Sequence, residues 1–151
     1  GRGQGGAPPA PNTPGVEPNK ETCPGNIDMP GHGAVSIVSA AWNVPGEASN
    51  KVLVQDGNTI VPLMKGRSYF ASSCAPGVFD HTHYIPFKLL GKTLRYTTDL
   101  SGAGCGCNAA LYLTSLNQNQ QESECKDYYC DANNVCGVSC AEIDIMEANL
   151  V

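Results

Sequence analysis

The chain has 151 residues and a formal net charge of −5 at pH 7, and its Lys and Arg residues form no basic run. This acidic balance argues against nucleic acid or an anionic membrane surface as a partner. No apolar stretch approaches the ~20 residues that a membrane-spanning helix needs. The length suffices for one hydrophobic core, so we expect a globular domain with no nucleic acid or membrane partner.

Gly and Pro dominate the first part of the chain. Residues 1–20 include five of each, a composition typical of flexible or polyproline-like segments. We therefore predict a Gly/Pro-rich flexible tail over residues 1–22 and a folded domain over residues 23–151. The chain starts without a basic and apolar leader, so we expect that any signal peptide has been removed.

Short apolar runs separated by Gly and Pro follow the tail and predict β-strands. Residues 34–42 are rich in Ala, Val and Ile, residues 51–55 read Lys-Val-Leu-Val-Gln, and a turn is predicted at 56–58. Residues 59–64 and 67–71 would continue these strands as a meander. No long segment has the 3.6-residue apolar period of an amphipathic helix, so we predict an all-β fold.

The eight cysteines form an even set, which favours a disulfide framework in an oxidising, extracellular location. They are Cys23, Cys74, Cys105, Cys107, Cys125, Cys130, Cys136 and Cys140. A zinc site is the competing interpretation of the last four, although the Cys-x2-Cys spacing typical of zinc ligands is missing. His81 and His83 could hold a metal if they project together from a strand, but two polar residues on a loop or strand face are the simpler interpretation. We predict a secreted protein that needs no metal or organic cofactor.

Three acids lie in an otherwise apolar segment near residue 151, where Glu142, Asp144 and Glu147 form an E-x-D-x-x-E pattern. Successive side chains of a strand point to opposite faces, so Glu142 and Asp144 share one face and Ile143 and Ile145 the other. Glu147 joins the two other acids only if a β-bulge re-aims it. We therefore predict a bulged strand; an acidic strand end that faces solvent is the simpler alternative.

Carboxyl groups in this arrangement fit the chemistry of a retaining glycosidase, which holds two of them roughly 5 to 5.5 Å apart. One carboxylate attacks the anomeric carbon, and the other, with a raised pKa, protonates the leaving oxygen. A third acid between them can hydrogen-bond the nucleophile. Glu142, Glu147 and Asp144 fit these three roles in that order.

Four segments, taken in chain order, resemble glycoside hydrolases of family 7, the secreted cellulases. They are Phe87–Gly91, Tyr96–Ser101, Cys105–Leu116 and Glu142–Asn149. The resemblance covers about residues 87–149 and implies a jelly-roll-like, two-sheet antiparallel β-sandwich of the concanavalin-like type. A family 7 domain is several times longer than the matched region. We therefore expect residues 23–151 to be its N-terminal part, with a missing C-terminal region or a partner chain completing the sheet.

The resemblance implies a β-1,4-glucan such as cellulose as substrate and a role for each matched residue. Glu142 corresponds to the nucleophile, Glu147 to the general acid/base and Asp144 to the assisting carboxylate. Asn108 and Tyr112 correspond to cleft residues that contact the sugar near the cleavage point. Strand alternation agrees with this, because residues 108 and 112 share one face of the predicted strand.

The resemblance also implies a disulfide between Cys130 and Cys140. The family's counterpart of Cys105 bonds to a cysteine far downstream, which this chain lacks, so truncation or a local pairing through Cys107 is expected. The alternative function is a non-catalytic extracellular protein, structural or carbohydrate-binding, that has kept the sandwich. Its support is Met146, which stands where the family usually has Trp, together with the Gly/Pro-rich tail. Retention of all three acids favours the enzyme.

Overall fold

The computed structural model describes residues 23–44 and 47–151, so the predicted tail over residues 1–22 lies outside the described residues. The described residues form seven β-strands and two short 3-10 helices, with no α-helix among them. This confirms the all-β class. No helix in this part of the chain is long and apolar enough to cross a membrane.

The strands lie close to most of the predicted positions. They are β1 (Gly25–Met29), β2 (Gly33–Ser39), β3 (Val52–Gln55), β4 (Thr59–Pro62), β5 (Ser68–Ala71), β6 (Ala109–Thr114) and β7 (Glu142–Ala148), and the 3-10 helices are His81–His83 and Leu116–Gln118. The strand β1 was not predicted, because its sequence Gly-Asn-Ile-Asp-Met contains residue types that strands disfavour. It forms through antiparallel pairing with β2, in which Ile27 lies opposite Val35.

The strands form three antiparallel sheets, ordered β1-β2-β5, β3-β4 and β6-β7. The predicted meander is wrong at β5, which pairs with β2 instead of β4, with Ile37 opposite Phe70. The reason is burial, since Ile37, Val38 and Ser39 of β2 are all buried. A strand buried in this way needs partners on both edges to satisfy its backbone N–H and C=O groups.

Two clusters of buried side chains form the core. The smaller one joins Ile27, Val35, Ile37 and Val52 between the first sheet and the β3-β4 hairpin. The larger one packs residues of β2 and β5 against the cysteine-rich segment 123–140; its buried members are Val38, Ala40, Tyr69, Ala71, Tyr84, Leu116, Cys125, Tyr129, Cys130 and Cys136. The segment that precedes β7 is therefore part of the core.

Three disulfides cross-link the described residues, namely Cys23–Cys74, Cys125–Cys136 and Cys130–Cys140. The pairing of Cys130 with Cys140, which the family resemblance implied, is confirmed. The zinc interpretation is wrong for the last four cysteines because their sulfur atoms are bonded in pairs. Cys105 and Cys107 are free thiols, so the local pairing between them is not formed.

The two histidines considered as a metal pair lie on a 3-10 helix and not on a strand. The Nδ1 atom of His81 is 2.8 Å from the carbonyl oxygen of Asn117, and Nδ1 of His83 is 3.2 Å from the Ser73 hydroxyl. The described residues contain no group of three or more His, Cys, Asp or Glu that could hold a metal ion.

Candidate active site

The three acids of the E-x-D-x-x-E pattern lie on β7, which pairs with β6. Their partners are Thr114 opposite Glu142, Tyr112 opposite Asp144, and Ala110 opposite Glu147. Residues directly opposite each other in an antiparallel pair project to the same face. Because residues 110, 112 and 114 alternate regularly along β6, all three acids lie on one face of the sheet.

The predicted bulge makes this possible. The register shifts between Leu111 and Tyr112, so Met146 lies opposite Leu111, Asp144 lies opposite Tyr112, and Ile145 has no partner in the ladder. One extra residue on one strand re-aims every side chain beyond it. Without it, Glu147 would point to the face that carries Ile143.

Glu147 accepts hydrogen bonds from two donors within the described part of the chain. The Tyr112 hydroxyl donates a short hydrogen bond to Oε1 of Glu147, and Nδ2 of Asn108 donates to the same oxygen at 2.9 Å. These donors, Tyr112 first, stabilise the charged carboxylate and hold the pKa of Glu147 below its ordinary value. The direction is opposite to the raised pKa expected of a general acid, because the carboxylate is exposed and has little desolvation to offset its donors.

The pKa of Tyr112 shifts in the opposite direction to that of Glu147. Burial, followed by the hydrogen bond to Glu147 and the charge of that carboxylate, raises the pKa of Tyr112 to about 12. The phenol therefore stays protonated throughout the neutral range. It therefore remains a donor to the charged carboxylate of Glu147 throughout that range.

Glu142 is half-buried and is held from another part of the chain. Its Oε2 accepts a hydrogen bond from the main-chain N–H of Ala132 at 3.0 Å. Asp144 is exposed, lies on β7 between the two glutamates, and its side chain makes no hydrogen bond to another described residue. The two glutamates are thus oriented by different partners.

The ladder sets the spacing of the two glutamates. Their partners Thr114 and Ala110 are four residues apart on β6, which separates the glutamate Cα atoms by about 13 Å at ~3.3 Å per residue. The two carboxyl groups reach the roughly 5.5 Å of a retaining pair only if both side chains lean toward each other. Glu147 is held from both sides along β6, by Tyr112 on the side of Asp144 and by Asn108 on the other side.

A cavity of about 260 Å³ adjoins Glu147. Its lining residues come from the start of β6 and the end of β7 and are Cys107, Asn108, Glu147, Ala148 and Asn149. The Nδ2 of Asn149 donates to the carbonyl of Cys107 at 3.0 Å and ties the two strand ends together. The structure therefore places four of the five predicted site residues on the β6-β7 sheet and Asn108 directly before β6, with Asn108 and Tyr112 both in contact with Glu147.

Sequence reasoning missed Ala132, Cys107 and Asn149 as parts of this site. Asn149 is the last residue of the matched segment Glu142–Asn149, and this position was the available signal. The contribution of Ala132 is a backbone N–H, which no side-chain pattern can indicate.

The chain is similar to part of several fungal endoglucanases. It is 30% identical over 163 aligned positions to a protein named as a probable endo-beta-1,4-glucanase in Aspergillus terreus, covering 90% of this chain and 35% of that protein. Identity is 28% to the endo-beta-1,4-glucanase celB of Emericella nidulans, with the same two coverages. It is 29% to endoglucanase EG-1 of Trichoderma longibrachiatum, covering 87% of this chain and 31% of that protein.

The chain thus spans about a third of the length of the curated relatives it matches. No family model and no solved structure matches it. The similarity to the endoglucanases extends over most of the chain. The chain therefore has an endoglucanase-like region.

Proposed function

We propose that this chain is the N-terminal part of a secreted glycoside hydrolase that cleaves β-1,4-glucosidic bonds in cellulose or a related β-glucan with retention of configuration. The observation that carries the proposal is the row of acids, since Glu142, Asp144 and Glu147 share one face of β7 because of the bulge at Ile145. The similarity to fungal endoglucanases supports the substrate class.

The proposed reaction is a double displacement. A carboxylate oxygen of Glu142 attacks the anomeric carbon and forms a glycosyl ester, while Glu147 gives its proton to the departing glucosidic oxygen. Glu147, now a carboxylate, takes a proton from water, and the water oxygen attacks the anomeric carbon and releases Glu142. Asp144 lies between the two and adjusts the orientation and protonation of Glu142. None of these steps requires a metal or an organic cofactor.

Asn108 and Tyr112 have two roles in this proposal. They hold the carboxylate of Glu147 by hydrogen bonds to Oε1, and they flank the position of the sugar that is cleaved. A sugar bound over the acid row would exclude water from Glu147, and such desolvation raises a carboxyl pKa. Substrate binding would thereby oppose the lowering that the two donors cause.

We also propose that the protein folds as a jelly-roll-like β-sandwich, part of which lies outside the described residues. The opposite face of β7 carries Ile143, which is 62% exposed, and Ile145 at the bulge is 40% exposed. A second sheet, contributed by a further part of the protein or by a partner chain, would cover this apolar surface as sandwiches do. Secretion accords with the three disulfides, since such bonds persist in oxidising compartments.

The test is replacement of Glu142 by Gln in the complete protein, with Glu122→Gln as the matched control. Glu122 is an exposed residue whose partner Lys126 lies 3.8 Å away on the surface. We expect Glu142→Gln to abolish release of reducing ends from β-glucan and Glu122→Gln to leave it unchanged. Full activity of the Glu142→Gln variant would contradict the proposed function.

The second candidate is a non-catalytic extracellular protein, structural or carbohydrate-binding, and one observation favours it. The pKa of Glu147 lies below its ordinary value, which suits a permanent carboxylate that accepts hydrogen bonds from sugar hydroxyls. Oligosaccharide binding by the complete protein, with no release of reducing ends at any pH between 4 and about 8, would favour this candidate.

A further inference from the structure

The carboxylate of Glu142 has one hydrogen-bond donor within the described part of the chain, and this donor belongs to a backbone peptide. The peptide unit joins Asp131 to Ala132, and it is bound at both ends. Its N–H donates to Oε2 of Glu142 at 3.0 Å, and its carbonyl oxygen accepts from the N–H of Cys140 at 2.9 Å. Cys140 lies two residues before Glu142, so the same peptide contacts the nucleophile and the backbone that leads into β7.

The neighbours of this peptide restrict its movement. Cys130 is fully buried and bonded to Cys140, and Asp131 is 3% exposed. The side chain of Asp131 accepts a hydrogen bond from the N–H of Val135 at 3.0 Å. A peptide fixed on both sides in this way presents its N–H in one direction, which is the requirement for a preorganised donor.

The buried carboxylate of Asp127 connects segment 123–140, which contains this peptide, to the β1-β2-β5 sheet. Asp127 is 0% exposed and accepts hydrogen bonds from five donors among the described residues, some in the N-terminal part of the chain and some in its own segment. Those from the N-terminal part are the Ala41 N–H, Arg67 Nη2 and the Tyr69 hydroxyl; those from its own segment are the Ser123 hydroxyl and the Tyr129 N–H. All five lie at 2.9 to 3.2 Å.

We propose that the Asp131–Ala132 peptide is the positioning group for Glu142. In this proposal, Asp127 holds the segment that contains the peptide against the β1-β2-β5 sheet. The inference rests on the proposed function. A donor on Oε2 limits rotation of the carboxylate and leaves Oε1 to attack the anomeric carbon. Ala132 has no side-chain group that could supply such a bond, so the effect depends on the main chain alone.

The test is an amide-to-ester replacement at Ala132 in the complete protein, in which L-lactic acid takes the place of alanine. The ester lacks the N–H, keeps the methyl side chain and leaves the Asp131 carbonyl as a weaker acceptor for the Cys140 N–H. The probe is an activated 2-deoxy-2-fluoro cellobioside, which labels a retaining nucleophile. We expect labelling of Glu142 to slow by about 10- to 100-fold, the usual consequence of a misplaced reacting group. The Kd for cellotetraose should stay unchanged, because the N–H contacts Glu142 alone.

The matched control is an amide-to-ester replacement at Asn133 by the α-hydroxy acid that carries the asparagine side chain, because the Asn133 N–H makes no hydrogen bond to any described residue. It should leave the labelling rate within about twofold. Unchanged labelling in the Ala132 ester would overturn the inference. A parallel loss of labelling and cellotetraose binding would overturn it as well, because it would assign the peptide to the fold in general. Failure of the unmodified protein to be labelled at Glu142 would overturn the proposed function, and this inference with it.

Discussion

The hydroxyl of Tyr112 donates a hydrogen bond to the carboxylate of Glu147, although Tyr112 lies opposite Asp144 in the ladder and not opposite Glu147. The bond is therefore diagonal along the shared face of β6 and β7. It links a residue on one side of the bulge position to a residue on the other side.

Tyr112→Phe should raise the pKa of Glu147. The hydroxyl stabilises the charged carboxylate, so its removal takes away the larger of the two causes that lower this pKa. For a general acid, a higher pKa moves the alkaline limb of the kcat/KM profile to higher pH. Carbon NMR titration of the Glu147 carboxyl group measures this pKa, and pH–rate profiles of the complete protein measure the position of the alkaline limb. An alkaline limb that moves to lower pH in the Phe variant would contradict the assignment.

Single-residue deletions in β7 test the bulge. Removal of Ile145 should leave a regular ladder in which all three acids keep their face, because Ile145 has no partner. Removal of Ile143 should turn Glu142 to the opposite face. We expect the Ile145 deletion to keep measurable glucanase activity and the Ile143 deletion to lower kcat by about 10³-fold or more, as the loss of a nucleophile does. Equal activities in the two variants would show that the register differs from the one described.

Asp127→Asn should destabilise the protein strongly. Asp127 is fully buried and pairs with Arg67 at 3.1 Å, and the substitution leaves the guanidinium without its counter-charge. Loss of one partner of a buried ion pair costs ~3–5 kcal/mol. Denaturant unfolding followed by fluorescence measures the change in the free energy of unfolding. Glu122→Gln breaks an exposed pair and serves as the control, with an expected change within about 0.5 kcal/mol. Similar values for the two variants would mean that the buried pair contributes no more than the surface pair.

The disulfides should contribute to stability according to the length of chain they close. Cys23–Cys74 spans 51 residues and Cys130–Cys140 spans 10. The chain-entropy model gives about 4 kcal/mol for the longer loop and about 3 kcal/mol for the shorter one. Double Ser variants of each pair, compared by thermal unfolding, should therefore rank in this order. The reverse order would show that native contacts within segment 123–140 depend on the Cys130–Cys140 bond more than the loop length implies.

Much of the local structure could be predicted from the sequence. Short apolar runs separated by Gly and Pro indicated four of the five N-terminal strands. The spacing of Glu142, Asp144 and Glu147 by itself requires a bulge if the three acids share a face, because side chains alternate along a strand. Pairing partners could not be predicted in the same way. The pairing of β5 with β2 depends on the burial of Ile37, Val38 and Ser39 between two neighbours, and burial is a property of the assembled core.

The amino-acid sequence alone indicated the all-β class through its short apolar runs, and the candidate site through the spacing of the three acids and the resemblance to family 7. It placed the acids on a common face only on the condition that β7 has a bulge, because side chains alternate along a regular strand. The tertiary structure alone decided how those residues are held. Glu142 receives its donor from Ala132, ten residues away, through a backbone N–H. Glu147 has a lowered pKa because Tyr112 and Asn108, more than thirty residues away, donate to it. Hydrogen-bond direction and exposure arise from distances between segments, which the order of residues along the chain does not contain.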